Sequence, residues 1–129
     1  MEPGELVTLA REALPRAYAP YSGYRVAAAL LTEKGEVFTG VNVENSSLGL
    51  TVCAERAAVA AAVTAGHRQF SRLAVVAEGD APPLPCGACR QVLSEFAPDL
   101  QIFVASRDEE MQKFTLQELL PHSFSFRKK

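Results

Sequence analysis

Residues 73–105 read LAVVAEGDAPPLPCGACRQVLSEFAPDLQIFVA, with an apolar run at each end and a polar loop and a helical pattern between them. The runs at residues 73–77 and 102–105 predict strands, and residues 86–96 predict a helix. A strand–helix–strand connection within one sheet is almost always a right-handed crossover between parallel strands. This segment therefore predicts an α/β protein.

The alanine-rich residues 53–65, just upstream, predict a second helix. We expect Thr51 to cap the beginning of this helix, and Gly66 stands where a left-handed residue ends many helices. Before it, residues 24–32 are nearly all apolar and predict a strand covered on both faces, and residues 37–44 predict the next strand.

The remaining elements follow from shorter signals. Lys34-Gly35 predicts a tight hairpin turn between the first two strands. Residues 5–18 predict the first helix, which Pro15 kinks or tightens in its last turn. Near the end of the chain, Phe114 starts a short fifth strand or a turn, and Thr115 can cap a last short helix.

Together these elements predict a three-layer α-β-α fold around a mixed, mostly parallel five-stranded sheet. With 129 residues, the chain has the length of one ordinary domain, and we expect residues 1–129 to form it.

Charge and hydropathy exclude some classes of function. Thirteen Lys and Arg against fifteen Asp and Glu give a net charge of −2, which argues against a dedicated nucleic-acid binder. We interpret the terminal Arg127, Lys128 and Lys129 as a solvated end. The longest apolar run, residues 57–63, is far shorter than the ~20 residues that span a bilayer. With no signal peptide at the start, we expect no membrane or nucleic-acid partner and a cytoplasmic location.

The three cysteines fall at the beginnings of two predicted helices: Cys53 opens one, and Cys86 and Cys89 open the other. Free N–H groups and the dipole at a helix N-terminus stabilise thiolates. If the helices lie side by side, the three thiolates converge, and three protein ligands leave the fourth position of Zn²⁺ open, as in catalytic sites. The pattern therefore predicts one catalytic zinc ion per chain.

Two other interpretations of the cysteines stay open. A structural zinc site would need a fourth protein ligand; His67 lies at the far end of its helix, whereas spacing does not exclude His122. A redox domain would join Cys86 and Cys89 in a disulfide and bind no metal.

Glu55 and Arg56 follow Cys53 directly in the first turn of its helix. A long glutamate side chain there can bend toward the metal and exchange protons with water. Three thiolates and Zn²⁺ sum to a negative charge, so a neighbouring cation would help, and Arg56 could hydrogen-bond a ligand sulfur.

The chain resembles the small homotetrameric cytidine deaminases over nearly its whole length. A ligand-x-Glu segment followed by Pro-Cys-x-x-Cys is the signature of zinc deaminases. The segment from Pro85 to Gln91 is the most specific, and Cys53 stands where polynucleotide deaminases carry His. The resemblance is carried by Ala19-Pro20-Tyr21-Ser22, Ala28-Ala29-Leu30-Leu31, Asn42-Val43-Glu44-Asn45, Cys53-Ala54-Glu55-Arg56, Pro85-Cys86-Gly87-Ala88-Cys89-Arg90-Gln91 and Glu118-Leu119-Leu120-Pro121.

The resemblance implies a role for each matching residue. Cys53, Cys86 and Cys89 would bind zinc, and Glu55 would shuttle the proton. The remaining roles concern the substrate. Asn42 and Glu44 would bind the ribose hydroxyls, and the Ala54 backbone would bind the pyrimidine carbonyl. Tyr24 would lie by the base, and Phe124 would reach a neighbouring subunit's site. Asn42 and Glu44, two apart at a strand end, face the same side. Ala27 and Leu48 depart from the family's frequent glycine and aromatic residue.

The expected activity is zinc-dependent hydrolysis of cytidine and 2′-deoxycytidine to uridine and 2′-deoxyuridine, with release of ammonia, by a homotetramer. A deaminase of a modified nucleoside or a blasticidin-like antibiotic is the alternative enzyme, and a structural zinc module is the alternative without catalysis.

Overall fold

A computed structural model of the chain describes residues 1–107 and 110–126, so the predicted solvated end at Arg127, Lys128 and Lys129 lies outside the described residues. The helices and strands follow in this order: α1 (Pro3–Ala13), β1 (Val26–Thr32), β2 (Val37–Val41), α2 (Ala54–Thr64), β3 (Phe70–Ala77), α3 (Gly87–Phe96), β4 (Gln101–Ala105), β5 (Gln112–Thr115) and α4 (Leu116–Leu119). Short 3₁₀ turns cover Leu14–Arg16 and Leu48–Leu50.

The five strands form one mixed sheet in the order β2-β1-β3-β4-β5. The mixed five-stranded sheet is confirmed, but the expectation that it is mostly parallel is wrong. Only β3 and β4 pair in parallel; the other three pairings are antiparallel. β2 and β3 do run in the same direction, as a crossover through α2 requires. The hairpin strand β1 lies between them, however, and is antiparallel to both.

Helices cover both faces of the sheet, which confirms the three layers. On one face, α1 buries Leu6 and Ala10 against the small side chains of Ala27 and Ala29 in β1. The alternate residues of β1 point to the opposite face. There, the other helices complete a second core that includes Leu30, Ala58, Val59, Leu73, Leu93, Ile102 and Leu116.

Strands β1 and β2 are shorter than predicted because other hydrogen bonds replace sheet pairing at the start of β1 and at the end of β2. The Asn42 side chain accepts a hydrogen bond from the Val26 N–H (3.0 Å) and donates one to the Tyr24 carbonyl (2.8 Å). Since these two backbone groups bind an amide side chain and not a neighbouring strand, β1 begins at Val26. Strand β2 ends at Val41, because the Asn42 carbonyl and the Val43 N–H bond to Tyr18 and Val52, outside the sheet.

Helix ends agree with the sequence in three places and disagree in one. Pro15 tightens the end of α1 into a 3₁₀ turn, Gly66 follows α2 with φ +97°, and Thr115 caps α4 by accepting from the Glu118 N–H. The expected cap of α2 at Thr51 is wrong. The capping position is Cys53, whose backbone is extended and whose thiol makes no capping hydrogen bond.

Gly40 lets β2 approach the beginning of α2 unusually closely. A Cβ atom at Gly40 would lie 2.5 Å from both the Ala54 carbonyl oxygen and the Ala58 nitrogen. Because any side chain there would collide with the helix backbone, this glycine determines how closely α2 packs against the sheet.

Within the described ranges, no helix is long and apolar enough to cross a membrane.

Candidate active site

The structure brings together the three thiols that the sequence singled out. Cys53 is the capping residue of α2, Cys86 is that of α3, and Cys89 lies in the first turn of α3. The three sulfur atoms lie within 4.8 Å of one another, and the Cys53 and Cys86 sulfurs are 3.9 Å apart. All three are free thiols. The two helix N-termini therefore meet as predicted.

No fourth protein ligand joins this cluster among residues 1–107 and 110–126. His67 is occupied elsewhere, with its Nε2 atom 2.9 Å from a Glu36 carboxylate oxygen. His122 lines a separate open cavity of about 510 Å³ beside Ser94 and Pro121. The described part of the chain thus offers three ligands, which leaves one tetrahedral position open and disfavours a closed structural site.

The donor set fits zinc. Three thiolates are the soft, anionic ligands that Zn²⁺ accepts in a tetrahedron. Arg56 supplies a balancing positive charge, since its Nη2 atom lies 3.6 Å from the Cys53 sulfur and 3.1 Å from the Thr51 carbonyl oxygen. The Arg56 Nε atom is buried with no hydrogen-bond partner. The two Nη2 contacts hold the guanidinium against the sulfur cluster, as expected for a site with excess negative charge.

The surroundings of Cys86 and Cys89 shift the pKa values of their thiols in opposite directions. Burial opposes ionisation of Cys86, but backbone N–H groups of Cys89 and Ala88 and the thiols of Cys89 and Cys53 lower its pKa overall. Burial and the negative charge of Glu55 raise the pKa of Cys89. Cys86 therefore loses its proton more easily than Cys89, whose thiolate is favoured only when a positive charge lies nearby.

Glu55 lies beside the sulfur cluster and is only 5% exposed. Burial raises the pKa of its carboxyl group, and this effect is opposed by a hydrogen bond from its own backbone N–H, the charge of Arg56 and a hydrogen bond from the Cys89 thiol. The raised pKa makes the carboxylate a better proton acceptor than an exposed glutamate.

A cavity of about 240 Å³ opens next to Glu55 and the sulfurs. Larger cavities elsewhere on the described surface contain no cluster of metal-ligating side chains. Of the described residues that line this cavity, none is Lys, Arg or His. They are Tyr24, Val26, Asn42, Thr51, Cys53, Ala54, Glu55, Val75, Pro83, Leu84 and Cys86. Pro83 and Leu84 were not singled out from the sequence, because a proline-rich loop carries no periodic signal that shows where it folds.

Asn42 and Glu44 also hold the loop that carries Tyr24. Beside the Asn42 bonds given above, the Glu44 carboxylate accepts from the backbone N–H groups of Tyr21 (3.0 Å) and Ser22 (3.1 Å) and from the Ser22 hydroxyl. The Ser22 bonds outweigh partial desolvation and lower the pKa of Glu44. This structural function was not apparent in the sequence, since the partners lie more than fifteen residues away.

Tyr24 forms one wall of the cavity. A Cβ atom added to Gly79 would lie 2.8 Å from its ring atom Cε1, so the ring fits against bare backbone. Partial burial and the charge of Glu55 raise the pKa of its hydroxyl group.

Phe124, by contrast, does not line the cavity of its own chain. The residue is 63% exposed, and its ring meets that of Phe126 edge-on, with ring centroids 5.1 Å apart. Its backbone carbonyl accepts a hydrogen bond from the Gln91 side chain (2.9 Å).

Comparison with known proteins agrees with this site. Residues 2–105 match the cytidine and deoxycytidylate deaminase zinc-binding region. A cytidine deaminase of Halalkalibacterium halodurans is 45% identical over 121 residues, which are 93% of this chain and 92% of that protein. A crystal structure of cytidine deaminase from Burkholderia pseudomallei superposes with a TM-score of 0.92 at 44% identity, covering 96% of this chain and 100% of that one.

A blasticidin-S deaminase of Bacillus cereus is more distant, at 30% identity over 129 residues, which are 94% of this chain and 91% of that protein. The motif match spans most of the chain, the relatives are similar over nearly their full lengths, and three thiols surround a position that suits zinc. The chain belongs to the family of cytidine and deoxycytidylate deaminases and carries its zinc-binding region.

Proposed function

We propose that the chain hydrolyses cytidine and 2′-deoxycytidine to uridine and 2′-deoxyuridine and releases ammonia. The observation that carries this proposal is a buried carboxyl group, Glu55, beside three converging thiols at one cavity. The identity to cytidine deaminases supports the choice of substrate.

Cys53, Cys86 and Cys89 would hold the zinc ion, and Arg56 would offset the charge of the thiolates. When bound, zinc acts as a Lewis acid that lowers the pKa of water toward ~7. The protein's own contribution is to place Glu55, the substrate base and the attacking water together.

Glu55 accepts a proton from the water whose oxygen forms the new bond to C4 of the base. The same carboxyl group then donates this proton to the ring nitrogen N3. In the second half of the reaction, Glu55 accepts the proton of the new C4 hydroxyl group and donates it to the amino nitrogen. The C4–N bond then breaks, ammonia leaves, and the oxygen stays on C4 as the carbonyl of the uracil ring. Because Glu55 is sheltered from bulk water, one group can serve as base and then as acid.

The contacts with the nucleoside are assigned to five residues. The Ala54 backbone would bind the pyrimidine carbonyl, and Tyr24 would pack beside the base. Asn42 and Glu44 would bind sugar hydroxyls with the hydrogen-bonding capacity that the loop leaves unused, and Phe124 would close the site of a neighbouring subunit. The Glu44 carboxylate favours an uncharged nucleoside over a nucleotide because it would repel a phosphate, and none of the described residues that line the cavity is basic.

We also propose a homotetramer, with residues 1–129 as one deaminase-type domain in each subunit. Exposed apolar side chains support association: Leu48 is 69% exposed, Leu50 67% and Phe126 93%. Light scattering of the purified protein tests this directly, and a stable monomer would contradict it. A cytoplasmic location remains a prediction that suits three free thiols, since reducing compartments keep thiols from pairing.

Deamination of a blasticidin-like antibiotic is the second candidate, because a blasticidin-S deaminase is 30% identical over nearly the whole chain. One substrate panel separates the two proposals. The purified protein is incubated with cytidine, 2′-deoxycytidine, deoxycytidylate and blasticidin S, and products and ammonia are quantified. We expect turnover of the two nucleosides only. Turnover of blasticidin S without turnover of cytidine would replace the first proposal by the second.

A further inference from the structure

Arg90 binds two backbone carbonyls that belong to different parts of the chain. It follows Cys89 in α3 and is partly buried. Its Nε atom donates to the Pro85 carbonyl oxygen at 2.7 Å, and its Nη1 atom donates to the Leu119 carbonyl oxygen at 2.9 Å. Neither bond belongs to the reaction proposed above.

The bond to Pro85 acts on the backbone that leads into Cys86. The proline ring fixes φ at residue 85, so the remaining freedom lies in ψ, which sets the direction of the carbonyl and of the next residue. A charge-assisted hydrogen bond on that carbonyl holds it in one direction. The backbone N–H of Arg90 also donates to the Cys86 carbonyl at 2.9 Å. Arg90 thus binds the carbonyl of Pro85, which precedes the Cys86 nitrogen, and the carbonyl of Cys86 itself.

The bond to Leu119 acts on the last residue of α4. The final carbonyls of a helix have no partner within the helix, and a guanidinium is a suitable donor for them. The next residue, Gln91, donates to the Phe124 carbonyl. Helix α3 therefore fastens the C-terminal segment through two consecutive side chains, one of which also fixes the turn before Cys86.

We propose that Arg90 is a positioning residue for the metal centre: it holds the Pro85–Cys86 backbone so that Cys86 and Cys89 meet Cys53, and it joins this turn to the end of α4. The inference rests on the zinc site of the proposed function but not on the identity of the nucleoside. Arg90 needs no contact with a sulfur for this, unlike Arg56. Its effect is on how long the metal is retained.

The experiment measures zinc loss from the purified, zinc-loaded protein to a colorimetric chelator, well below the thermal midpoint of every variant. Replacing residues that orient metal ligands typically costs 10–100-fold in affinity. We expect zinc release from Arg90→Met to be faster by roughly 10- to 100-fold. Arg90→Lys should be intermediate, because an ammonium lacks the planar fork that reaches two carbonyls at once.

Arg72→Met is the matched control. Arg72 also donates to a backbone carbonyl, that of Met1 at 2.7 Å, and to the Gln101 side chain at 3.2 Å, but none of its described bonds is to the metal turn. Its zinc release should equal that of the unmodified protein. The proposal is overturned if Arg90→Met releases zinc no faster than Arg72→Met.

A second measurement keeps the proposal testable if Arg90→Met does not fold. Cobalt can replace zinc, and its thiolate absorption bands report the arrangement of the sulfurs. Arg90→Lys should shift these bands, whereas Arg72→Met should not; unchanged bands in Arg90→Lys would refute the positioning role. If the protein retains zinc but does not deaminate cytidine, the proposed function fails while these rates still decide the role of Arg90.

Discussion

Glu55 places a carboxyl group beside the three thiols while only 5% of the residue is exposed to solvent. A buried carboxyl group without a cation partner destabilises the folded chain, and here the neighbouring Arg56 only partly compensates for this. Such an arrangement is typical of a site built for proton transfer.

Replacing Glu55 by Gln should remove turnover and spare the metal. The amide has nearly the same shape but cannot accept the proton, so we expect a fall in kcat of at least roughly 10²–10⁴-fold. Zinc content, measured by atomic absorption, should stay at one ion per chain because the three thiols are untouched. Near-normal turnover of cytidine would remove Glu55 from its proposed role.

Gly79 should control the shape of the nucleoside cavity. In Gly79→Ala, the new methyl group would meet the Tyr24 ring at 2.8 Å. The loop around Tyr24 is held by Asn42 and Ser22, so the ring must move. Overpacking costs about 1–3 kcal/mol, and we expect KM for cytidine to rise by roughly 5- to 30-fold, about 1–2 kcal/mol.

The control for this substitution is Gly4→Ala, where an added Cβ meets nothing within 4 Å. Its KM should be unchanged. An unchanged KM in Gly79→Ala as well would show that the position of the Tyr24 ring does not limit binding.

Glu44 gives a prediction with a defined pH dependence. Hydrogen bonds from Ser22 lower its pKa, so its ionised form is favoured in the folded chain. Its contribution to stability is therefore complete above the unfolded pKa and is lost as pH falls through the lower folded pKa. Chemical denaturation at several pH values should show Glu44→Gln less stable than the unmodified protein near neutral pH. The difference should shrink in acid; a difference that grows in acid would contradict the assignment.

Among the contacts between secondary-structure elements, the packing of α2 on β2 supports the site most directly. Helix α2 begins immediately after Cys53 and carries Glu55 and Arg56 in its first turn. Because Gly40 lets β2 lie against the backbone of that turn, the strand sets the distance between α2 and the sheet. It thereby sets the position of Cys53, the first metal ligand.

Substituting Gly40 by Ala should therefore disturb both stability and metal binding. The added carbon would lie 2.5 Å from helix backbone, which cannot move aside as a flexible side chain can. We expect a loss of at least about 1–3 kcal/mol in the free energy of unfolding, together with faster zinc release. Chemical denaturation and chelator competition measure these effects, and Gly4→Ala is again the control. Unchanged stability would mean that the close approach is not required.

At the level of the whole chain, the metal would join the N-termini of α2 and α3, which lie on the same face of the sheet. Helices cover both faces of this sheet without the metal. The two apolar cores are extensive, so the metal-free chain should still fold. A ligand that binds only the folded state nevertheless stabilises it, by about 4 kcal/mol at a thousand times Kd.

Removing zinc with a chelator should lower the thermal midpoint by roughly 10–20 °C, at constant protein concentration. Differential scanning calorimetry of protein with and without chelator measures the shift. Cys89→Ser should show little further change with chelator, since one ligand is already lost. A thermal midpoint that does not respond to the chelator in the unmodified protein would argue against a metal bound to the folded state.

The sequence alone determined the order of the helices and strands and, to within a few residues, where they lie, together with the three-layer arrangement and the cysteines and glutamate of the site. These depend on periodicity, on capping residues and on short motifs, all of which act over a few neighbouring residues. The convergence of Cys53 with Cys86 and Cys89 could be predicted because each opens a helix, and helices on one face of a sheet can place their N-termini together.

The tertiary structure alone decided the strand order, the shape of the cavity and the supports of the metal turn. Apolar periodicity shows which face of a strand is buried but not which strand lies beside it, so the insertion of β1 between β2 and β3 was not predictable. The bonds of Asn42 to Tyr24 and of Arg90 to Leu119, and the packing of Tyr24 on Gly79, join segments distant in sequence. Such contacts arise only when the folded chain brings those segments together, and no local pattern encodes them.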